Sequence, residues 1–158
     1  MDTHLEIERR FLVADPGILE GRSGTEIYQG YLSTGRETLV RIRLAGTEAW
    51  LGIKARTDTL QIRREFEYPV PRDEAQELLT LCGSRTIHKI RYRLPVAHHV
   101  WEVDRFLDQN RGLTIAEIEL NSPAEKVHIP DWLGEEITED PRYLNVSLAA
   151  HPFLTWKP

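Results

Sequence analysis

The chain has 158 residues and a formal net charge of −5, with 41% hydrophobic and 28% charged residues. This composition is typical of a soluble globular protein, and the negative charge argues against nucleic acid as a partner. No run of residues approaches the roughly 20 apolar residues of a membrane helix, so no membrane partner is expected. The first residues lack the basic segment and apolar core of a signal peptide, so the cytoplasm is the expected location. The single cysteine, Cys82, excludes an intrachain disulfide.

Eight segments in which polar and apolar residues alternate are predicted to form β-strands. Breaks that contain glycine separate several of them, as expected for tight turns. The chain shows no linker, repeat or low-complexity stretch, so a single domain over residues 1–158 is expected. The predicted strands cover residues 4–14, 25–33, 37–45, 48–56, 59–70, 85–95, 98–107 and 113–121.

Three helical segments are predicted after the fifth strand. The first is short, with Asp73 as its predicted N-cap and Gly83 at its C-cap. Cys82, in the apolar run before this glycine, is predicted to be a small buried hydrophobe. A second helical segment is predicted after Ser122-Pro123-Ala124-Glu125 and a third over about 141–150.

The predicted strands place charged residues on one face and apolar residues on the other. In the first strand, Glu6, Glu8 and Arg10 occupy alternate positions, and Ile7 and Phe11 belong to the opposite face. Side chains in a strand alternate between faces with period two, so each charged pair lies on one side of the sheet. Most pairs carry two charges of the same sign, which repel one another unless something neutralises them. The later pairs are Arg41 with Arg43, Glu65 with Glu67, Lys89 with Arg91, Glu102 with Asp104, and Glu117 with Glu119.

Consecutive strands joined by short turns favour an antiparallel meander that can close on itself. The expected fold is α+β and mainly β: an eight-stranded antiparallel closed β-barrel, or tunnel, with a charged interior and a few flanking helices. If the apolar face filled the barrel, the like-charged pairs would lie in solvent and need no explanation. If the charged face lines the narrow lumen, bound ions must neutralise the pairs. The apolar outer face would then pack against the helices or against a second subunit in a homodimer.

The charged face contains both kinds of side chain that phosphoryl transfer requires. Paired carboxylates supply the hard oxygen ligands that Mg²⁺ or Mn²⁺ prefers. Paired Arg and Lys side chains suit the oxygens of a phosphate. Phosphoryl transfer is catalysed largely by positioning and electrostatic stabilisation, so this combination points to that chemistry. A lysine crowded by arginines should have a lowered pKa and could act as a base toward water.

The ordered set of motifs resembles the triphosphate tunnel metalloenzymes, also called the CYTH superfamily. The opening Leu5-Glu6-Ile7-Glu8-Arg9-Arg10 is similar to the Glu-x-Glu-x-Lys signature of that family. The resemblance spans nearly the whole chain and is greatest to short bacterial members, several of which are inorganic triphosphatases. The other motifs are Gln29-Gly30-Tyr31-Leu32, Arg41-x-Arg43, Lys54, Arg64-Glu65-x-Glu67, Lys89-x-Arg91-Tyr92, Glu102-x-Asp104, Glu117-x-Glu119 and Thr138-Glu139-Asp140-Pro141-Arg142-Tyr143-x-Asn145.

The resemblance implies a tunnel that binds a small-molecule triphosphate end-on together with Mg²⁺ or Mn²⁺. It implies that Lys89, supported by Tyr31, activates water, and Arg10 completes the expected catalytic set. The implied metal ligands are Glu6, Glu8, Glu117, Glu119 and Asp104, with Glu65, Glu67 and Glu102 as supporting tunnel carboxylates. The implied substrate-binding residues are Arg41, Arg43, Lys54, Lys89, Arg91 and Arg142, the last as part of a plug at the tunnel mouth.

Arg10 departs from the family pattern, in which this position is usually Lys. Arg keeps the positive charge but is bulkier and cannot act as a base, which leaves substrate choice and rate open. The expected activity is metal-dependent hydrolysis of inorganic triphosphate to pyrophosphate and phosphate. Alternatives within the fold are an adenylate cyclase, a thiamine triphosphatase or a nucleoside triphosphatase. An alternative of another class is a non-catalytic module that binds polyphosphate or nucleotides.

Overall fold

The computed structural model describes residues 4–157, and within them the chain forms nine β-strands and two α-helices. The helices are α1 (Arg72–Thr80) and α2 (Asn145–Ala150). The strands are β1 (Leu5–Val13), β2 (Thr25–Thr34), β3 (Thr38–Ala45), β4 (Glu48–Arg56), β5 (Ile62–Pro69), β6 (Thr86–Val96), β7 (His99–Phe106), β8 (Thr114–Leu120) and β9 (Leu133–Glu136).

Eight of these strands close into an antiparallel barrel. Neighbours pair in the order β5, β4, β3, β2, β6, β7, β8, β1, and β5 returns to β1 to close the ring. The closing pair sets Glu6 opposite Arg63, and the pair on the other edge of β1 sets Glu8 opposite Glu119. Strand β9 adds to the end of β1, beyond the part that β5 occupies. The predicted closed eight-stranded barrel is therefore confirmed.

Much of the outer face of the barrel is apolar, and chain segments cover part of it in two clusters. One outer cluster is built around the fully buried Trp101, which meets Phe11 and Trp132 edge to face. A second outer cluster packs α1 against β3 and β4 through Ala75 and Cys82, both fully buried. The expectation that Cys82 is a small buried hydrophobe is confirmed.

A third apolar cluster fills one end of the lumen. Its inward-facing members on the strands are Ile87, Phe106 and Ile115. Each lies two residues from an inward-facing charged residue of the same strand, so its side chain points to the same face. They pack with Leu148 of α2 and with Tyr143. This cluster makes one end of the tunnel apolar and closed, so charged groups beside it are shielded from water.

The helical predictions were only partly right. The prediction of a helix after Ser122-Pro123-Ala124-Glu125 was wrong. Residues 121–132 instead form turns and extended chain that lead into β9, a strand that was not predicted. In that segment Glu125 accepts a hydrogen bond from the backbone of Asn121 and pairs with His99, which holds the chain in a turn.

Three further helical details differ from expectation. Asp73 is not the N-cap of α1; Pro71 occupies that position, and the Asp73 carboxylate accepts a hydrogen bond from the Glu74 amide inside the first turn. The C-cap of α1 is Leu81 and not Gly83, which lies two residues further on with φ +61°, a left-handed conformation that suits glycine. The helix expected over 141–150 is divided, because Leu144 is extended between a 3₁₀ turn and α2. Across the residues described, no helix is both long enough and apolar enough to cross a membrane.

Candidate active site

The charged face of the sheet lines a cavity of about 470 Å³ inside the barrel. The orientation predicted from the alternating charges, with the charged face inward, is therefore the one that the structure has. The charged side chains that line the cavity are Glu6, Glu8, Arg10, Arg41, Arg43, Lys54, Arg63, Glu65, Glu67, Lys89, Arg91, Arg93, Glu102, Glu117 and Glu119.

One side of the cavity is dominated by carboxylates from β1, β5 and β8. Glu8 lies directly across the β1–β8 pair from Glu119, so two like charges face each other. Cations from β5 and the neighbouring β4 compensate part of this charge: Arg63 donates to Glu8 at 2.9 Å, and Lys54 donates to Glu6 at 3.0 Å. These acids are therefore paired with cations of the protein itself.

The crowding of these acids shows in their pKa values. Burial, together with the like charges of Glu117 and Glu6, raises the pKa of Glu8 to about 8, and the nearby Arg63 does not outweigh these effects. Burial and the neighbouring carboxylates also raise the pKa of Glu119. A carboxylate with a raised pKa is one whose negative charge lacks sufficient compensation, and a bound cation would supply it.

The donor set on this side fits a divalent cation of the Mg²⁺ or Mn²⁺ type, which prefers carboxylate oxygens. As the side chains stand, however, no three Asp, Glu, His or Cys groups within residues 4–157 are arranged to hold a metal ion. Glu6 and Glu8 are instead engaged by Lys54 and Arg63. A metal ion would therefore compete with these two cations for the same carboxylates.

The opposite side and the closed end of the cavity carry buried cations. Arg10 and Arg41 are 2% and 6% exposed, and Arg10 donates one hydrogen bond to the backbone carbonyl of Tyr143. Arg10 Nη1, Arg41 Nε and Arg41 Nη2 are buried with no hydrogen-bond partner among the described residues. Buried N–H groups of charged side chains are costly to leave unpaired, so these atoms indicate a place for an anion.

Lys89 lines the same cavity, with Arg91 and Arg43 as its cationic neighbours, and is fully enclosed. Its ammonium donates to Asn145 Oδ1 at 2.9 Å and contacts Asp104 Oδ2 at 2.8 Å. Burial lowers the pKa of Lys89 to about 7, with the like charges of Arg91 and Arg43 acting in the same direction against Asp104. A lysine with this pKa can exchange a proton near neutral pH, as a general base or acid requires.

Two of the predicted metal ligands, Asp104 and Glu117, are paired with cations of the tunnel. Asp104 receives both forks of the Arg91 guanidinium, at 2.8 and 2.9 Å, in addition to the Lys89 contact. Burial alone would raise the pKa of Asp104, but Arg91 and Lys89 lower it to about 2. Glu117 lies 3.6 Å from Arg10, and the cations around it hold its pKa well below the usual range despite burial. Both carboxylates act as counter-ions of the tunnel cations.

Arg142 does not lie in the tunnel, so its predicted place at the tunnel mouth was wrong. Its side chain is 65% exposed and forms a 2.7 Å ion pair with Asp140. Its guanidinium lies over the rings of Tyr143 and Trp156, outside the cavity. Residues 144–146 reach the cavity from this segment instead.

The remaining predicted residues are distributed around the lumen. Glu65 pairs with Lys54 at 3.1 Å, Glu67 approaches Arg41 at 3.6 Å, and Glu102 lies 3.5 Å from Arg91. Arg43 is also in the lumen, where burial and neighbouring arginines lower its pKa to about 10. The tunnel therefore brings together every predicted site residue except Arg142.

Several lumen residues were not among the predicted site residues. Gln29 and Asn145 are polar groups at the closed end, both inside motifs that carried the family resemblance. Tyr31 is linked to them, because its hydroxyl lies 3.4 Å from Gln29 Nε2. Arg63 shares the alternation of Glu65 and Glu67, and this spacing was sufficient to place it in the lumen.

The fold and the site define a class: closed antiparallel barrels whose lumen holds carboxylates on one side and buried Arg and Lys side chains on the other. The CYTH domain model matches residues 4–152, and the chain belongs to the CYTH domain family.

Named relatives agree with this assignment. The sequence is 40% identical over 153 residues to the inorganic triphosphatase of Acetivibrio thermocellus, covering 96% of this chain and 97% of the relative. It is 35% identical over 151 residues to the inorganic triphosphatase of Nitrosomonas europaea, covering 91% and 96%. The crystal structure of the inorganic triphosphatase NE1496 matches with a TM-score of 0.66 at 32% identity, over 97% of this chain and 96% of that chain.

Proposed function

We propose that this protein hydrolyses inorganic triphosphate to pyrophosphate and phosphate with the help of Mg²⁺ or Mn²⁺. Relatives that match over nearly the whole chain are named inorganic triphosphatases. The observation that carries the proposal is the set of buried guanidinium N–H groups without a hydrogen-bond partner on Arg10 and Arg41, in the cavity that Lys89 also lines. An anion with several oxygens can satisfy groups of this kind together, and phosphate oxygens fit the fork of a guanidinium.

The cavity separates the two sets of charges that such a reaction needs. Glu6, Glu8 and Glu119 are the groups that would hold the metal ion, which when bound would neutralise and polarise phosphate oxygens. Asp104 and Glu117 hold Lys89, Arg91 and Arg10 in place and balance their charge. The catalytic part of the site is therefore the cationic side together with the closed end.

Most cations of the tunnel would bind the substrate, and one of them, Lys89, would accept a proton. Arg41, Arg43 and Arg91 bind phosphate oxygens, and Lys54 does so once it releases Glu6. The water oxygen forms a bond to a terminal phosphorus while the bond from that phosphorus to the bridging oxygen breaks. Lys89, with a pKa of about 7, accepts the proton that the attacking water loses. Arg10 stays charged and stabilises the charge that builds up on the transferred group.

The test is phosphate release from inorganic triphosphate with Mg²⁺ or Mn²⁺, compared with release in the presence of a chelator. We expect turnover only with metal, and Glu8→Ala to reduce it to the chelator level because a central carboxylate is lost. The control is Glu48→Ala, since Glu48 is an exposed carboxylate at the start of β4 and outside the cavity. ATP and thiamine triphosphate are tested as alternative substrates in the same assay. Tight binding of triphosphate without turnover under either metal would contradict the proposal and indicate a binding module.

A further inference from the structure

Two amide side chains form a continuous hydrogen-bonded link between Arg43 and Lys89. Gln29, on β2, is fully buried and accepts a hydrogen bond from Arg43 Nε at 2.9 Å. Its Nε2 lies 3.2 Å from Asn145 Oδ1 and 3.4 Å from the Tyr31 hydroxyl. The same Asn145 oxygen accepts from the Lys89 ammonium at 2.9 Å. Two amides in series therefore connect the Arg43 guanidinium to Lys89.

The chemistry of the partners fixes which way both amides point. Arg43 and Lys89 are donors only, so each must face an amide oxygen. Gln29 therefore turns its oxygen to Arg43 and its NH₂ group to Asn145, and Asn145 receives two donors on one oxygen. Neither amide can be flipped without setting donor against donor in a buried place, which is costly. The link has a single satisfied arrangement.

The link limits the directions available to the Lys89 ammonium. An ammonium has three N–H donors, and two of them are fixed here, by Asp104 at 2.8 Å and Asn145 at 2.9 Å. The third position, an N–H in the ammonium and the lone pair in the neutral amine that accepts a proton, is left for the cavity, which Lys89 helps to line. Asn145 is the first residue of α2, so the segment that closes the tunnel end supplies one of the two fixed contacts.

We propose that Gln29 and Asn145 are positioning residues: they hold the side-chain nitrogen of Lys89 toward the cavity and fix its position relative to the Arg43 guanidinium. This inference rests on the proposed function for its catalytic consequence, whereas the orientation of Lys89 is a property of the protein alone. Neither side chain needs to react. Gln29 fixes Asn145, and Asn145 fixes Lys89 at the place where the water would lose its proton.

The test compares two Asn→Ala variants that remove similar contacts from the same C-terminal segment. Asn145→Ala removes the acceptor of Lys89. Asn110→Ala removes the Oδ1 that accepts from the Phe153 amide at 2.8 Å, so it also loosens the segment but lies away from the cavity. We expect Asn145→Ala to lower kcat by roughly 10- to 100-fold with KM changed by less than about threefold, the scale of a small misplacement of a reacting group.

Asn110→Ala should keep the wild-type kcat even where its melting temperature falls as far as that of Asn145→Ala. If both variants lose kcat in proportion to their loss of stability, Asn145 only supports the fold, and the inference is overturned. If Asn145→Ala raises KM and leaves kcat unchanged, Asn145 acts on substrate binding, which also overturns it.

A second measurement separates this inference from the proposed function. The Lys89 ammonium should give a ¹H–¹⁵N signal protected from exchange at mildly acidic pH in the wild type and in Asn110→Ala. The signal should be lost in Asn145→Ala, because one of the contacts that hold the ammonium is gone. If the wild type releases no phosphate from triphosphate, the proposed function fails and this signal still decides the inference. An equal signal in all three proteins would overturn it.

Discussion

At the residue scale, the position of Arg41 depends on a glycine in the next strand. Gly52 lies directly opposite Arg41 in the β3–β4 pair. A Cβ built on Gly52 would stand 3.0 Å from Arg41 Nη2 and 3.5 Å from its Cζ. Contacts this short are tighter than side chains normally tolerate, so the absence of a side chain at Gly52 lets the guanidinium lie close against β4.

We expect Gly52→Ala to lower the kcat/KM of triphosphate hydrolysis without unfolding the protein. The added methyl group pushes the Arg41 guanidinium from the place where its unpaired N–H groups meet the anion, and kcat/KM should fall by about tenfold. The measurement is steady-state phosphate release, with circular dichroism to confirm folding. The control is Gly134→Ala on β9, where the nearest atom to an added Cβ is 3.4 Å away. Equal kinetics in Gly52→Ala and the wild type would show that the position of Arg41 does not matter.

The sequence was sufficient to predict which side chains face the lumen but not their partners. The period of two in a strand assigns Glu6, Glu8 and Arg10 to one face without any knowledge of the neighbouring strands. Their partners depend on the closure of the ring, which sets β5 against β1 and brings Arg63 to Glu8. That pairing spans 55 residues of chain, and local patterns contain no information on it.

At the element scale, α1 is held on the barrel by a close approach to β2. A Cβ built on Gly30 would stand 2.6 Å from Cys82 Sγ and 2.8 Å from Cys82 Cβ. Leu79 of α1 would also lie 3.1 Å away. Because Gly30 faces outward and Gly52 faces inward, the same change at the two glycines should have different consequences.

We expect Gly30→Ala to destabilise the protein by about 1–3 kcal/mol, as overpacking of a full core usually does. The helix and the segment after it must move away from β2 to make room for the methyl group. Urea unfolding measures the loss, and the kcat of the folded fraction should stay at the wild-type value because the lumen is unchanged. A stable Gly30→Ala with lowered kcat would mean that the outer packing transmits strain to the site.

Element prediction succeeded where alternation was long and failed where segments were short. The eight barrel strands are seven residues or longer, so each shows several periods of the pattern. Strand β9 contains Leu133-Gly134-Glu135-Glu136, which has no alternation, and it forms because β1 offers it a free edge. Helix α2 has only six residues, fewer than isolated helices need for stability, and it depends on its packing in the closed end.

At the scale of the whole molecule, the barrel encloses carboxylates whose charges repel one another. Glu8 is 6% exposed, faces Glu119 across the sheet and has Glu6 and Glu117 as further like-charged neighbours. Burying charge without full compensation costs stability, and closing the sheet leaves these side chains no path to water except through the tunnel. The apolar outer clusters and the closed end must therefore stabilise a lumen that favours bound ions.

This balance gives an expectation for unfolding temperatures measured by calorimetry. In chelator, Glu8→Gln should unfold at or above the wild-type temperature, because it removes a crowded charge and keeps an oxygen for Arg63. Saturating Mn²⁺ should raise the wild-type melting temperature by about 5–10 °C if the ion is present at roughly 100 times its dissociation constant. The shift should be much smaller in Glu8→Gln and unchanged in Glu48→Gln. A melting temperature that falls by several degrees for Glu8→Gln in chelator would instead mark Glu8 as a structural partner of Arg63, because the stability then comes from their ion pair.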